Sequence, residues 1–175
     1  QWNGTGWTEI GDLNTGRELS GGAGTTTSAL VYGGSAPTYT GATESFNGTS
    51  WTEINALNSA RSGVSTGGGP ATAAIAAGGF NPPTTVAIVE AWDGTSWLEG
   101  SDLSTHRYAL GGAGSGFASA IAVGGEQTGD DEQTATEEWT ASVSPLAQEG
   151  QLWYNLGQQK LKGYAATGTG AWASG

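Results

Sequence analysis

One phrase recurs three times in this chain and restricts its fold more than any other feature. Its copies are Trp2-Asn3-Gly4-Thr5-Gly6-Trp7, Phe46-Asn47-Gly48-Thr49-Ser50-Trp51 and Trp92-Asp93-Gly94-Thr95-Ser96-Trp97. Each sets an Asn-Gly or Asp-Gly step between two aromatic residues. Such steps favour β-hairpins, because both central residues of a type I′ turn need positive φ. Every copy therefore predicts strand, tight turn, strand, with a large ring near each end.

The rest of the first 140 residues keeps step with this phrase. Its second Trp stands at Trp7, Trp51 and Trp97, spacings of 44 and 46 residues. A glycine pair follows at Gly33-Gly34, Gly78-Gly79 and Gly124-Gly125, spaced by 45 and 46. All three arginines, Arg17, Arg61 and Arg107, share one repeat position, and Glu44, Glu90 and Glu137 share another. With only 12% charged residues, chance does not put every arginine in register. A period near 45 indicates a solenoid or a propeller.

The units run about 1–58, 59–103 and 104–140. Inside each, the Trp is followed by a polar stretch and a turn (Leu13-Asn14-Thr15, Leu57-Asn58-Ser59, Leu103-Ser104-Thr105). The Arg, a Gly-rich strand and a small-apolar run come next, and the run stops at the glycine pair. A variable loop then leads back to the Glu and the aromatic hairpin. This predicts about four short strands per unit.

The terminal glycine pair, the aromatic-Asp-x-x-x-Trp hairpin and the Arg before the next strand together resemble the kelch repeat. The resemblance covers roughly residues 1–140 and implies an all-β fold of kelch-like β-propeller blades, each of about four antiparallel strands. Phrases such as Asn47-Gly48-Thr49-Ser50-Trp51-Thr52-Glu53 also resemble kelch-type repeat proteins of tailed phages, marine ones in particular. That second resemblance implies a structural protein of a virion appendage, a tail or fibre, and a virion or extracellular location.

Propellers have typically four to eight blades, so three units do not close a ring. Three routes remain open: copies of the chain associate, a longer parent supplies more units, or residues 141–175 form an irregular extra blade. In that last stretch Gly150–Asn155 and Lys160–Tyr164 predict a β-hairpin, resembling a short element of phage tail proteins, and Trp172 stands where the repeat Trp residues stand. The chain begins at Gln1 without Met, as expected of a processed form or a segment of something longer.

A net charge of −11, with five Lys and Arg in all, opposes nucleic-acid binding, which needs clustered cations. No apolar run is long enough to insert in a membrane as a helix. The absence of Cys removes disulfides, thiolate metal sites and Cys nucleophiles. It also removes the cross-linked Tyr of galactose-oxidase-like copper chemistry, and there is one His.

No catalytic set, metal site or cofactor is expected. His106 has no Ser or Cys partner at a recognisable spacing and reads as a surface variant. The Arg and Glu positions repeat in every unit, which favours structural ion pairs between blades over a site needed once. Asp130-Asp131-Glu132 lacks the alternate spacing of a Ca²⁺ loop and reads as a solvated tip. The formal glycosylation sequences at Asn3 and Asn47 read as turn residues, since Asp93 replaces Asn in the third copy.

Binding belongs to loops carried by a stable scaffold. The variable loops Ser35–Gly41, Phe80–Thr85 and Glu126–Gln133 each follow a glycine pair, so they share one rim. Tyr39, Phe80 and Tyr108, aromatic and outside the repeat register, are the candidate contacts to a ligand or receptor. The expectation is a non-enzymatic structural or interaction module whose partners are copies of itself, neighbouring virion proteins or a host-surface glycan. The alternative is a secreted carbohydrate-binding β-propeller domain.

Overall fold

The computed structural model describes residues 1–65, 68–116, 118–129 and 131–140, together with the strands 152–155 and 160–163. The chain divides into two compact units, Gln1–Thr140 and Ala141–Gly175. Every regular element among the described residues is a β-strand. All pairings between them are antiparallel.

In the first unit, β1 (Gly21–Gly24), β2 (Ala29–Tyr32), β3 (Thr43–Phe46) and β4 (Trp51–Ile54) form one sheet in that order. A second sheet holds β5 (Ile75–Ala77), β8 (Val89–Trp92) and β9 (Trp97–Glu99). Its β5 is flanked by Ser65, whose N–H donates to the Ala77 carbonyl at 3.0 Å and whose hydroxyl accepts from the Ala77 N–H at 3.1 Å. The third sheet holds β10 (Gly111–Gly116), β11 (Ser119–Val123) and β14 (Thr136–Thr140). Two of the variable loops are themselves small ribbons, β6 (Phe80–Asn81) with β7 (Thr84–Thr85) and β12 (Glu126–Gln127) with β13 (Asp131–Glu132).

In the second unit, β15 (Leu152–Asn155) pairs with β16 (Lys160–Gly163), matching Trp153 to Lys162 and Tyr154 to Leu161. Trp172 and the rest of the suggested extra blade lie outside the described residues, as does Asp130.

The repeated phrase closes the first two sheets, with its two aromatics directly opposite one another, Phe46 against Trp51 and Trp92 against Trp97, and its first copy pairs Trp2 with Trp7 in an isolated bridge. The turn is not type I′. Only the glycine takes positive φ, at 95°, 96° and 96° for Gly4, Gly48 and Gly94, and the loop holds four residues. The Asn or Asp acts through its side chain instead. Oδ1 of Asn47 accepts from the N–H groups of Thr49 and Ser50 at 2.9 and 3.0 Å, and Asp93 does the same for Thr95 and Ser96 at 2.8 and 2.7 Å. An Asx side chain that mimics a backbone turn explains the residue choice better than tolerance of positive φ.

Sheets pack face to face through small residues on one side and rings on the other. Trp97 of the second sheet lies edge-on to Tyr32 of the first, centroids 4.9 Å apart, and its Nε1–H donates to Thr43 Oγ1 at 3.0 Å. The Tyr32 hydroxyl reaches the Ile75 carbonyl at 3.0 Å. Burying one such indole contributes about 4–6 kcal/mol of transfer free energy. Between second and third sheets, Ile75, Ala77, Val89 and Ala91 pack with Ala120, Leu103 and Trp139.

The three equivalent Trp side chains nevertheless sit in unlike surroundings: Trp97 is 4% exposed, Trp51 is half-buried and Trp7 is 80% exposed. Each packs toward the preceding sheet, so burial follows what precedes it. Trp97 has a full sheet there. Trp51 has only the segment whose Gly11 carbonyl accepts its Nε1–H at 3.0 Å, and Trp7 has no sheet before it among the described residues.

Candidate functional site

The Arg and Glu positions pair in each unit, Arg17 with Glu44, Arg61 with Glu90 and Arg107 with Glu137. They do not run from sheet to sheet. The Arg lies on the segment that arrives from the previous hairpin and wraps its own sheet, where it meets the Glu on β3, β8 or β14. Arg61 also donates to the carbonyls of Ser59, Gly78 and Ala76 at 2.8, 2.9 and 3.1 Å. The Glu carboxylate holds the turn before the Arg: N–H groups of Asn14, Asn58 and Ser104 donate to Glu44, Glu90 and Glu137 at 2.8, 2.7 and 2.7 Å. Burial pushes the Glu44 carboxyl up. The Asn14 donors, the Arg17 charge and the Thr15 N–H outweigh that together, and its pKa lies below the ordinary value. In the third unit the Glu137 side chain is 24% exposed and Arg107 Nε is buried without an acceptor among the described residues.

The sheets are joined by backbone bonds around the Arg. Gly34 N–H donates to the Arg61 carbonyl and Gly79 N–H to the Arg107 carbonyl, both at 2.9 Å. This explains the glycine pair. A Cβ on Gly33 would stand 2.8 Å from the Arg61 carbonyl oxygen, and one on Gly78 2.4 Å from that of Arg107. Two residues past each Arg the chain turns left-handed, at φ 54° for Leu19, 62° for Gly63 and 53° for Ala109. There the bonds run the other way, from Gly63 N–H to the Leu19 carbonyl at 2.7 Å and from Ala109 N–H to the Gly63 carbonyl at 2.8 Å.

Immediately after each Arg, one residue bridges to the residue after a glycine pair: Glu18 to Ser35, Ser62 to Phe80 and Tyr108 to Glu126. These three pairs occupy equivalent places on one rim. Five of these six residues, all but Glu126, line a cavity of about 240 Å³ together with Leu19 and Tyr39. Tyr39 and Phe80 rings stand edge to face at 5.6 Å, and Phe80 and Tyr108 are tilted by 42° at 5.7 Å. The structure thus brings Tyr39, Phe80 and Tyr108 into one continuous aromatic wall. Glu18, Leu19 and Ser62 escaped the sequence reading, although their offset of one or two residues from the Arg was legible.

His106 is exposed, in keeping with a surface variant, and is also tied to a neighbouring loop. Its Nδ1 lies 2.5 Å from the buried Thr85 hydroxyl, and Thr85 N–H donates to Thr128 Oγ1 at 3.1 Å. The contact ties the second and third variable loops together. Sequence spacing could not show it, because the partner arrives from a neighbouring loop. Asp131 and Glu132 are exposed on β13, and among the described residues no three His, Asp or Glu side chains gather as metal ligands would.

No family model matches the sequence. No curated protein matches it either. Among solved structures, the chain is similar to the one described as "Structure of YjhT", with a TM-score of 0.59 at 16% identity over 74% of this chain and 43% of that one. The chain therefore spans less than half the length of that structure, and at this identity the likeness concerns the fold alone.

Proposed function

We propose that this chain is a non-enzymatic, kelch-like β-propeller module of a virion appendage. In this reading its sheets are blades, it assembles with copies of itself or with neighbouring virion proteins, and it presents its rim loops to a host surface. One observation carries the assembly. Leu30 and Tyr32, on the face the first sheet turns to its successor, are 2% and 0% exposed, and Ile75 and Ala77 at the same places in the second are 2% and 4%. Their equivalents in the third sheet, Ile121 and Val123, are 41% and 40% exposed.

The backbone supports the same reading. Among the described residues Ala109 C=O lacks a donor and Gly125 N–H an acceptor, whereas at the other end Leu19 N–H lacks an acceptor and Arg17 C=O a donor. Each open group at one end is what its counterpart at the other end needs. The non-enzymatic part draws on the buried ionisable groups, which belong to the repeated Arg–Glu pairs. The virion setting draws on the resemblance of the repeats to phage proteins. The Tyr39–Phe80–Tyr108 wall favours a second reading, a secreted carbohydrate-binding propeller domain, which a glycan array tests.

Light scattering tests the first reading. The expected particle is a multiple of the 17.5 kDa chain, and Ile121→Asp reduces it to a single chain. A mass of one chain for the unsubstituted protein at every concentration overturns it.

A further inference from the structure

We infer that the rim pocket binds an organic cation, an alkylammonium group. This rests on reading the rim as the contact surface of a non-enzymatic module and names the chemistry it takes.

Position comes first. The Trp, Gly, Arg and Glu places that build the scaffold carry the same residue, or nearly so, in every unit. The bridging places on the rim carry Glu18 and Ser35, then Ser62 and Phe80, then Tyr108 and Glu126. A fixed frame whose bridging places differ in each unit, and which sets one acid and three rings around a cavity, is how a repeat scaffold makes a site that occurs once.

Charge selects the ligand. The chain carries −11, and each arginine is bound to its own glutamate. No Lys, Arg or His lines the pocket, while Glu18 is exposed at its edge and makes no ion pair among the described residues. Anions are repelled there. Three rings line the cavity, and a cation over the face of such a ring is attracted without needing directional bonds. A hydroxyl-rich sugar needs several aligned donors and acceptors, and the lining offers no amide, guanidinium or imidazole side chain. The backbone groups of Glu18 and Ser35, and of Ser62 and Phe80, are spent on each other.

Size agrees. The cavity of about 240 Å³ is smaller than the roughly 300–1,000 Å³ of sites that enclose whole drug-sized ligands. It suits a single head group of choline size.

The test titrates choline and its neutral isostere 3,3-dimethylbutan-1-ol into the full chain, followed by NMR of the Tyr and Phe rings. Saturable choline binding is expected, with the isostere at least about tenfold weaker. Glu18→Gln should weaken choline by about three- to fivefold, an exposed carboxylate acting through water, and added salt should reduce the same increment. Phe80→Leu keeps apolar volume but removes the ring face, and should cost about three- to tenfold. Thermal melting of both variants checks that the sheets stay intact. The cation inference is overturned by equal binding of choline and its isostere, by choline binding indifferent to both substitutions, or by no saturation at tens of millimolar. A glycan that binds where choline does not also overturns it, yet leaves the rim as a contact surface. Light scattering decides the module reading separately.

Discussion

Replacing Glu90 with Gln removes one charge from a pair that water barely reaches. The side chains of Arg61 and Glu90 are 0% and 1% exposed, and Glu90 also receives the N–H groups of Asn58 and Ser59. Gln keeps the volume and part of the hydrogen bonding but leaves the guanidinium buried without a counter-charge. Breaking a buried pair from one side costs about 3–5 kcal/mol. For a chain of this size each kcal/mol lowers Tm by about 2–4 °C, so the melt should fall by roughly 6–20 °C. The matched change in the third unit, Glu137→Gln, is the internal standard. With Glu137 24% exposed, water takes over part of the compensation, and about 1–2 kcal/mol is expected. Scanning calorimetry and urea titration measure both. Adding Arg61→Met to Glu90→Gln should recover part of the loss, because the orphaned charge leaves with it. Equal shifts for Glu90→Gln and Glu137→Gln, or a double variant worse than the sum of its parts, would refute burial as the source of the cost.

Thr43→Val keeps the shape of its side chain but strips the acceptor from the Trp97 Nε1–H, which is buried between two sheets. It should cost about 1–3 kcal/mol in urea titrations. Gly78→Ala puts a methyl 2.4 Å from the Arg107 carbonyl at a φ of 64° and should lower the midpoint clearly, whereas Gly16→Ala, which meets nothing within 4 Å, should leave it nearly unchanged. Burial raises the Asp93 carboxyl, but the Ser96 and Thr95 donors outweigh it and its pKa lies below the ordinary value. Its contribution is therefore complete above the unfolded-state value near about 4 and is lost as pH falls through the folded one. Asp93→Asn should be close to neutral at pH 7, since Asn47 makes the same two turn bonds, and should flatten the acid limb of a stability-against-pH curve.

The β-sheets were legible because the signals were local and repeated. The glycine pair, the repeated Asn-Gly or Asp-Gly steps and the small-apolar runs placed strands and turns, though not the turn type, which the Asx side chain makes in place of a second positive φ. The in-register Arg and Glu announced a pair, but which segment each joined was not written in the spacing, since it depends on how the Leu13–Arg17 stretch wraps its sheet. The Trp positions misled in the opposite way. Identical residues at identical offsets differ in burial because burial depends on the neighbouring sheet, and no single unit encodes its neighbour. On the rim, the three rings could be named from their lack of register. Glu18 and Ser62, which complete the pocket, look like ordinary surface residues until the bridges set them beside Ser35 and Phe80.

The pair of backbone bonds that joins one sheet to the next has a polarity. Ala109 C=O and Gly125 N–H, facing forward, match Leu19 N–H and Arg17 C=O at the other end. Joined as the sheets within the chain are joined, copies would meet head-to-tail, the last sheet of one against the first sheet of the next. A heterologous contact of that kind closes into a ring if the rotation per step divides the circle, and otherwise runs on as a filament.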